Sequence, residues 1–320
     1  MLFSFILPAY KVRYLNQAIK SIIDQTYQDF ELVIVNDASP EDVGGVVEQF
    51  TDERISYYKN EVNIGGNDLV GQWNHCIQYA KGDYIILASD DDVYASDYLE
   101  TFVPLIHQYP QVNVFRPRIQ KIDSDGHIIG VDAHLTEYMP EMEYIYYYFR
   151  GFLFSGIPQY IFKKSALVEL GGFIDLPAAW FSDDLTVLNL INNGIVSSPR
   201  ILFSFRVSDI NISAKKNDWD LLKKKLDASN KYCLLTSELL KKIEAQVSNS
   251  SSPEYFYYTA SKNGACYKAR GIVADILYKE GFVAFIKTFL YLKRKQTAFV
   301  SVSWLVKTFC GICFYKLFAK

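Results

Sequence analysis

The chain has 320 residues, half of them hydrophobic, and a net charge of −3. That length supports one large core, or a core with an appendage, and the slight acidity argues against a general nucleic-acid binder, which presents a basic face. The five cysteines (Cys76, Cys233, Cys266, Cys310 and Cys313) are few and odd in number, so they suggest a reducing compartment rather than a disulfide framework, and Cys310-x-x-Cys313 lacks the second pair a zinc site needs.

The first apolar run, Phe3 to Leu7, reads as a strand stopped by Pro8, not as a leader, because no basic stretch precedes it. Leu15, Ala18, Ile19, Ile22 and Ile23 repeat at helical spacing. Glu31 to Val35 is a second strand that exits into Asn36-Asp37-Ala38-Ser39-Pro40. Ser39 there is a candidate N-cap for a helix reaching Phe50. Ile55 to Tyr58 is a third strand. A loop, Asn63-Ile64-Gly65-Gly66-Asn67, then leads into a helix capped by Asn67 or Asp68, with Leu69, Trp73, Cys76, Ile77 and Ala80 toward the sheet. This alternation predicts a parallel sheet with right-handed crossovers.

Gly82-Asp83 opens the stretch on which the rest depends. Tyr84 to Ala88 reads as a strand buried on both faces, and it ends at Ser89-Asp90-Asp91-Asp92. Three adjacent carboxylates repel one another unless a positive charge sits there. A hard divalent cation, Mg²⁺ or Mn²⁺, is the usual compensator. The carboxyl edge of a parallel sheet is also where ligands bind. The plain alternative is a solvated acidic turn capping the helix that starts at Ser96 or Asp97. Pro8-Ala9-Tyr10, Asp37 and the triplet all fall on this one edge, so a nucleotide could lie across it. Neither GxGxxG nor GxxxxGK[ST] is present, which removes the dinucleotide-dehydrogenase and P-loop readings.

Further on, Asn113 to Ile119 predicts a strand, with a hairpin turn at Asp123-Ser124-Asp125-Gly126. Val131 to Phe149 is rich in tyrosine and reads as an aromatic helix packed on the sheet or as an acceptor-site wall. Pro158 to Phe162 is a strand and Lys164 to Leu170 a helix ended by Gly171-Gly172-Phe173. Ser182 caps a helix whose first turn holds Asp183 and Asp184, a placement the helix macrodipole alone would favour. Ile201 to Arg206 is a last strand. Arg206, with Ser208, Asn211 and Ser213 after it, either meets a phosphate or forms a surface ion pair. Trp219 to Ala245 is a charged helical region, Ser248 to Pro253 a linker, and Tyr255 to Tyr278 another helix. From Gly281 onward there is no acidic residue, and Lys287, Lys293, Arg294, Lys295, Lys307, Lys316 and Lys320 alternate with aromatic and aliphatic residues. That composition fits an anionic membrane interface or a helix pair packed on protein; Lys307 interrupts the Ala298 to Tyr315 run before it reaches the ~20 residues of a span.

Six pieces in register resemble the inverting family-2 glycosyltransferases of the GT-A fold, over roughly the first 120 residues. They are Phe5-Ile6-Leu7-Pro8-Ala9-Tyr10, Ser21 to Tyr27, Glu31 to Ser39, Asn63-Ile64-Gly65, Trp73-Asn74, and Ala80 to Ile85 leading to the triplet. The resemblance implies an α/β protein, a Rossmann-like, mostly parallel sheet with flanking helices plus a C-terminal helical extension. It implies a catalytic domain over 1–213 (nucleotide-sugar binding in 1–120, acceptor half in 121–213), while 214–320 reads, from its own composition, as a helical extension that associates with a membrane or packs on protein. By position, Pro8, Ala9, Tyr10, Asp37, Asn74, Asp90 and Asp91 become the expected donor contacts. Asp91 is the first expected metal ligand, with Asp90 next and Asp92 third. The family's common motif has an Asp where Ser89 stands, and its usual Arg before the Asn is Trp73 here. Asp184 takes the position of the catalytic base and Asp183 that of the acceptor-side carboxylate.

The resulting expectation is an enzyme that uses a divalent metal, Mg²⁺ or Mn²⁺. It would transfer a sugar from a nucleotide-diphosphate sugar, a UDP-sugar foremost, to a glycan acceptor, lipid-linked and of the bacterial surface-polysaccharide type. It would be cytoplasmic, with residues 281–320 at the inner face of the membrane. The rivals are a catalytically inactive relative serving as a binding subunit, for which Ser89 speaks, and a sugar-nucleotide pyrophosphorylase, which usually carries a Gly-rich basic loop where Pro8-Ala9-Tyr10-Lys11 stands.

Overall fold

A computed structural model describes residues 1–209, 219–247, 249–295, 297 and 300–318. Two compact units emerge. One gathers Met1–Tyr144, Gly151–Asp175 and the stretch from Ser182 through the last strand; the other gathers Ile145–Arg150, Leu176–Phe181 and the C-terminal helices.

The first unit is a ten-stranded sheet with helices. Its parallel half contains β1 (Phe3–Ala9), β2 (Phe30–Asn36), β3 (Ile55–Lys59) and β4 (Tyr84–Leu87), in the order β3-β2-β1-β4. The helices α1 (Leu15–Ile23), α2 (Val43–Val47) and α3 (Leu69–Cys76) make the crossovers between consecutive strands. The second half holds β6 (Val114–Ile122) parallel to β10 (Ile195–Arg206), with β5 (Val93–Tyr94) on the far side of β10. A short strand, β9 (Ile161–Lys163), runs antiparallel to both β4 and β6 and joins the halves. β7 (Ile128–Val131) closes a hairpin on β6, and β8 (Tyr138–Met139) pairs with the start of β10. The remaining helices of this unit are α4 (Tyr98–Gln108), α6 (Lys164–Glu169), α7 (Ser182–Leu190) and the first part of α5 (Glu141–Phe149).

Burial explains why β1, β2 and β4 read as continuous apolar runs. Phe3, Phe5, Leu7 and Ala9 lie with Tyr84, Ile86 and Ala88 in one core cluster, against Leu15, Ala18, Ile19 and Ile22 of α1. Ile6, Val33, Val35, Ile85 and Leu87, of opposite parity, are equally buried. Burial on both faces leaves no polar alternation to read. Aromatic rings continue the core beneath the acidic turn: Phe5 meets Tyr94 at 5.1 Å, and Tyr94 meets Tyr98 at 5.0 Å and Phe203 at 5.1 Å between centroids. The buried hydroxyls are used as well. Tyr94 donates to the Pro158 carbonyl (2.7 Å) and Tyr98 to that of Gln159 (3.0 Å).

Several boundaries differ from the sequence reading. β1 runs through Pro8 to Ala9, because pairing to β2 continues to Ala9↔Asn36 while pairing to β4 stops at Ile6↔Leu87. The Ile6 carbonyl accepts from Ala88 N and the Ala9 carbonyl from Asp37 N. By strand alternation, the N–H that Pro8 lacks would face the β4 side, beyond the end of that ladder, so nothing is lost. Ser39 does not cap α2. Its hydroxyl turns to the Tyr10 carbonyl and accepts from Glu41 N, and Asp42 caps instead, accepting from Gly45 N at 3.0 Å. Gly44 and Gly45 keep that helix short. On α3, Val70, Gln72 and Cys76 are the buried positions, with Leu69 and Trp73 half-buried. The tyrosine-rich stretch is a short strand, β8, followed by the nine-residue α5, and β10 begins at Ile195 instead of Ile201.

The helical unit contains α8 (Trp219–Glu244), α9 (Pro253–Ser261), α10 (Gly264–Lys295) and α11 (Val302–Phe318). The single helix expected over Tyr255–Tyr278 is thus two, broken between Ser261 and Gly264. Phe181 stacks on Tyr232 of α8 with ring centroids 4.3 Å apart, and Lys225 Nζ lies 4.2 Å from the centre of the Trp180 ring. Ala178, Ala179 and Phe181 all have left-handed φ, between 55° and 67°. Such backbone strain persists only where packing holds it, and the stacked Phe181 ring is that packing. No described helix is long and apolar enough to cross a membrane. Asn211, Ser213, Ser248 and Lys320 lie outside the described residues.

Gly82 gives a direct check on this fold. A Cβ there would meet Leu2 O at 2.7 Å and Ser4 N and Oγ at 2.8 Å. Two of those atoms are backbone of β1 and its entry, so they cannot turn away. Gly82→Ala is expected to destabilise by ~1–3 kcal/mol and to lower Tm in thermal melts by several degrees; an unchanged Tm would show that the β1–β4 edge yields freely.

Candidate active site

The carboxyl ends of β1, β2 and β4 meet at one edge, and side chains tie them together there. Asp90 Oδ2 accepts from the backbone N–H groups of Tyr10 (3.1 Å) and Lys11 (2.8 Å), fixing the loop after β1 to the turn after β4. Asp37 Oδ1 accepts from Asn60 Nδ2 (2.8 Å) and Ile64 N (2.9 Å), and its Oδ2 from Gly65 N (2.7 Å). A Cβ on Gly65 would sit 2.9 Å from that Oδ2, so the residue must be small for the loop to close on the carboxylate. Tyr10 is 41% exposed, while Ala9 beside it is fully buried. Pro8, Ala9, Tyr10 and Asp37 therefore lie together at this edge, with Tyr10 exposed.

The acidic turn is almost wholly buried, and its members do different things. Asp92 is 1% exposed. Its Oδ1 accepts from Arg206 N at 2.8 Å, and its Oδ2 accepts from the Ser89 hydroxyl. Burial first, and then the Asp91 charge, push its carboxyl up to about 8. Expected as a third metal ligand, Asp92 is instead turned inward with both oxygens engaged, fastening β4 to β10. Burial and Asp90 also raise the Asp91 carboxyl, against the pull of Lys11, a Ser89 hydrogen bond and Arg206. Lys11 Nζ stands 3.7 Å from Asp90 Oδ1 and 3.9 Å from Asp91 Oδ2. Asp91, together with Asp90 Oδ1, is thus the part of the turn that meets a cation. Buried carboxylate oxygens packed this closely are a fitting donor set for a hard divalent ion, which would relieve their mutual repulsion.

Arg206 holds this turn from below, which settles its two open readings differently from both. It is 3% exposed. Its Nε donates to the Asp91 carbonyl (2.8 Å), Nη2 to Gln17 Oε1 (2.9 Å) and Nη1 to the Asp123 carbonyl (3.2 Å), and its guanidinium lies over the Tyr14 ring at 4.2 Å. It is neither a surface ion pair nor an open phosphate ligand. Those bonds also hold the hairpin where Asp123, Asp125 and His127 bring ligand atoms within 4.8 Å of one another; among the described residues this group could hold an ion, but it lies on a solvated turn whose Asp123 carboxylate accepts from the turn's own Asp125 N and His127 N.

Asn74, expected at the donor, has its amide closed on the backbone of Phe173. Its Nδ2 donates to Phe173 O (3.0 Å) and its Oδ1 accepts from Phe173 N (2.8 Å). Gly172 has φ +95°, and a Cβ on it would lie 2.4 Å from Asn74 Oδ1. Asn74 thus clamps Gly171-Gly172-Phe173 to α3. Ile174 N then donates to Thr186 Oγ1 at 2.9 Å, which carries the connection into α7 and its first turn. There Asp183 Oδ1 accepts from Asp184 N (2.9 Å), and Asp184 is buried beside the Tyr144 and Tyr160 hydroxyls, whose ionisation it opposes.

The sequence reading missed the polar layer around Asp184. Tyr144 and Tyr160 hydroxyls are 2.9 Å apart, and Tyr160 donates to Ser155 Oγ at 3.2 Å. Arg116, buried on β6, is ion-paired to Asp132 and bears electrostatically on both tyrosines. An arginine in the middle of an apolar strand was the available signal, since it is almost never buried without a partner.

The sequence profile of "Glycosyl transferase family 2" matches residues 4–168, half of the chain. The chain belongs to glycosyl transferase family 2. The matched span carries Asp37, Asn74 and the acidic turn and stops short of Asp183 and Asp184. The chain is 30% identical over 106 residues to the UDP-Glc:alpha-D-GlcNAc-diphosphoundecaprenol beta-1,3-glucosyltransferase WfgD of Escherichia coli, covering 33% of this chain and 41% of that protein. It spans about half or less of the length of the curated relatives it matches. Among solved structures, S. aureus TarS 1-349 in complex with UDP superposes with a TM-score of 0.67 at 14% identity, covering 100% of this chain and 92% of that one. Mannosyltransferase PcManGT from Pyrobaculum calidifontis, in complex with GDP-Man and Mn²⁺, gives 0.51 at 15% identity, covering 99% and 87%. At those identities the likeness is one of fold, and it is the GT-A fold.

Asp92 generates a pH prediction for this family member. Its folded-state pKa is raised above the unfolded value, so the folded state binds the extra proton. Stability is then greatest below the unfolded pKa near 4 and falls as pH rises toward about 8. Asp92→Asn keeps the shape of the neutral acid and removes this loss. In EDTA, the variant is expected to melt higher than the parent at pH 8.5, by ~2–4 °C for each kcal/mol regained, with the gap closing toward pH 5. A gap independent of pH would show that Asp92 is not the titrating group.

Proposed function

We propose that the chain is a glycosyltransferase that moves a sugar from a nucleotide-diphosphate sugar, a UDP-sugar foremost, to a glycan acceptor in a single inverting displacement. The observation that carries this reading is the hydrogen-bonded edge, where Asp90 fastens the Pro8-Ala9-Tyr10 loop to a buried acidic turn. Family membership and the UDP, GDP-Man and Mn²⁺ complexes of its structural neighbours support it.

In this reading Tyr10 and the Asp37-held loop receive the base, and Asp91, with Asp90 beside it, would hold a divalent ion, Mg²⁺ or Mn²⁺. Such an ion supplies charge neutralisation for the departing diphosphate. Asp184 takes the proton of the attacking acceptor hydroxyl, so no covalent intermediate is needed. Its burial beside two neutral phenols keeps water from competing for the carboxylate, and Asp183 faces the acceptor one residue before it. Asn74 acts at one remove, holding the Gly-Gly-Phe turn that leads into α7.

The acceptor in this proposal is lipid-linked and belongs to a surface polysaccharide, as the diphosphoundecaprenol acceptor in the name of WfgD suggests. Residues 1–213 form the catalytic domain and 214–320 a helical extension that touches the cytoplasmic face of the membrane. Exposed Val283, Ile286 and Leu290 on α10, with Lys287, Lys293 and Arg294 among them, suit an interfacial helix. An inactive relative acting as a binding subunit is the second reading, favoured by Ser89 at the place of the family's first motif carboxylate.

Calorimetric titration of UDP, GDP, CDP and dTDP, each with and without Mn²⁺, separates the two. One nucleotide is expected to bind in a metal-dependent way, and the binding to be lost in Asp91→Ala. Asp184→Asn is expected to retain that binding while kcat falls ~10²–10⁴-fold. No metal-dependent binding of any nucleotide would overturn the transferase reading in favour of the binding subunit.

A further inference from the structure

The loop that would receive the nucleotide also places a lysine over the acidic turn. Asp90 Oδ2 accepts from both Tyr10 N and Lys11 N, so the backbone at the root of the Lys11 side chain is fixed to the carboxylate cluster. From there the ammonium reaches 3.7 Å from Asp90 Oδ1 and 3.9 Å from Asp91 Oδ2. The Lys11 side chain is only 22% exposed, and its two carboxylate partners are 9% and 8% exposed. Charges this close and this little screened interact far more strongly than a surface pair. The neighbouring groups are engaged differently: Asp92 with Arg206 N and Ser89, and Arg206, whose charge also bears on Asp91, with the Asp91 carbonyl and Gln17.

We propose that Lys11 is the resident counter-charge of the donor site, competing with the divalent ion for Asp90 and Asp91 and thereby setting the affinity of the site for metal. The proposal rests on the reading of Asp91 as a metal ligand. An ammonium and a divalent ion cannot both approach the same two carboxylate oxygens without repelling each other, so metal entry requires Lys11 to withdraw. In the metal-free protein the lysine compensates the carboxylates, which keeps the turn intact before donor arrives. A site built this way takes up metal weakly by itself and more readily when a diphosphate arrives to share the cation load.

Electron paramagnetic resonance of Mn²⁺ alone, without nucleotide, measures this directly in the full chain. Lys11→Met and Lys11→Gln are expected to bind Mn²⁺ about tenfold more tightly than the parent, the equivalent of ~1.4 kcal/mol. Lys11→Arg, which keeps the charge, is expected to stay close to the parent. Two neutral variants guard against one that fails to fold, and circular dichroism confirms folding in each. A parent that binds Mn²⁺ through Asp91, with neutral variants binding no more tightly, overturns the role of Lys11 and leaves the metal site standing. If neither the parent nor the neutral variants bind Mn²⁺, or binding survives Asp91→Ala, the metal site itself fails and the proposal with it. A parent too weak to register beside a neutral variant that binds is its strongest support.

Discussion

Burying Asp90, Asp91 and Asp92 in one turn at the end of β4 is the constraint to which the rest of this edge responds. Carboxylates packed out of water must each find a donor or a counter-charge. Asp90 finds backbone N–H groups of the loop after β1, Asp92 finds Ser89 and the backbone of Arg206 on β10, and Asp91 faces Lys11. Between them these solutions recruit the loop after β1 and the end of β10. The acidic turn is therefore where the parallel half and the β6–β10 half of the sheet are sewn together.

Below the turn, the sewing continues in aromatic and polar contacts. Tyr94 and Tyr98, immediately after the carboxylates, spend their hydroxyls on the carbonyls of Pro158 and Gln159. Tyr160 follows at once and meets Tyr144 beside Asp184. Polar contacts thus lead from the residues after the acidic turn to the Tyr144–Tyr160 pair, on whose ionisation Asp184 bears electrostatically. On the other side, Asn74 and Gly172 set where α7 begins. A change that loosens the Gly-Gly-Phe turn therefore acts on the start of α7 without touching the acidic turn.

Much of this was legible before any coordinates. Strands buried on both faces announce themselves as apolar runs, and β1, β2 and β4 stand where those runs are. Asp37 and the triplet fall at strand ends by counting alone, and the alternation of strand and helix gives the parallel half its order. The second half was harder. β9 is three residues long and antiparallel to both neighbours, and β8 is two residues, too short for any periodicity to mark. Pro8 looks like a strand terminator from sequence, because only the unequal lengths of the neighbouring ladders show that its missing N–H faces no partner.

Residue types and their order along the chain determined that this protein has a sheet whose carboxyl edge collects acidic groups, because burial patterns and strand-end positions are local properties. Which oxygen of each carboxylate is engaged, and by whom, was decided only in three dimensions. Asp91 and Asp92 are chemically identical neighbours, yet one faces an ammonium and the other is sealed between Ser89 and Arg206, a residue 114 positions away. Asn74 and Phe173 are 99 residues apart, and Arg116 and the Tyr144–Tyr160 pair meet from separate elements. Such partners are fixed by the packing of elements distant in sequence, and no spacing within the chain encodes them.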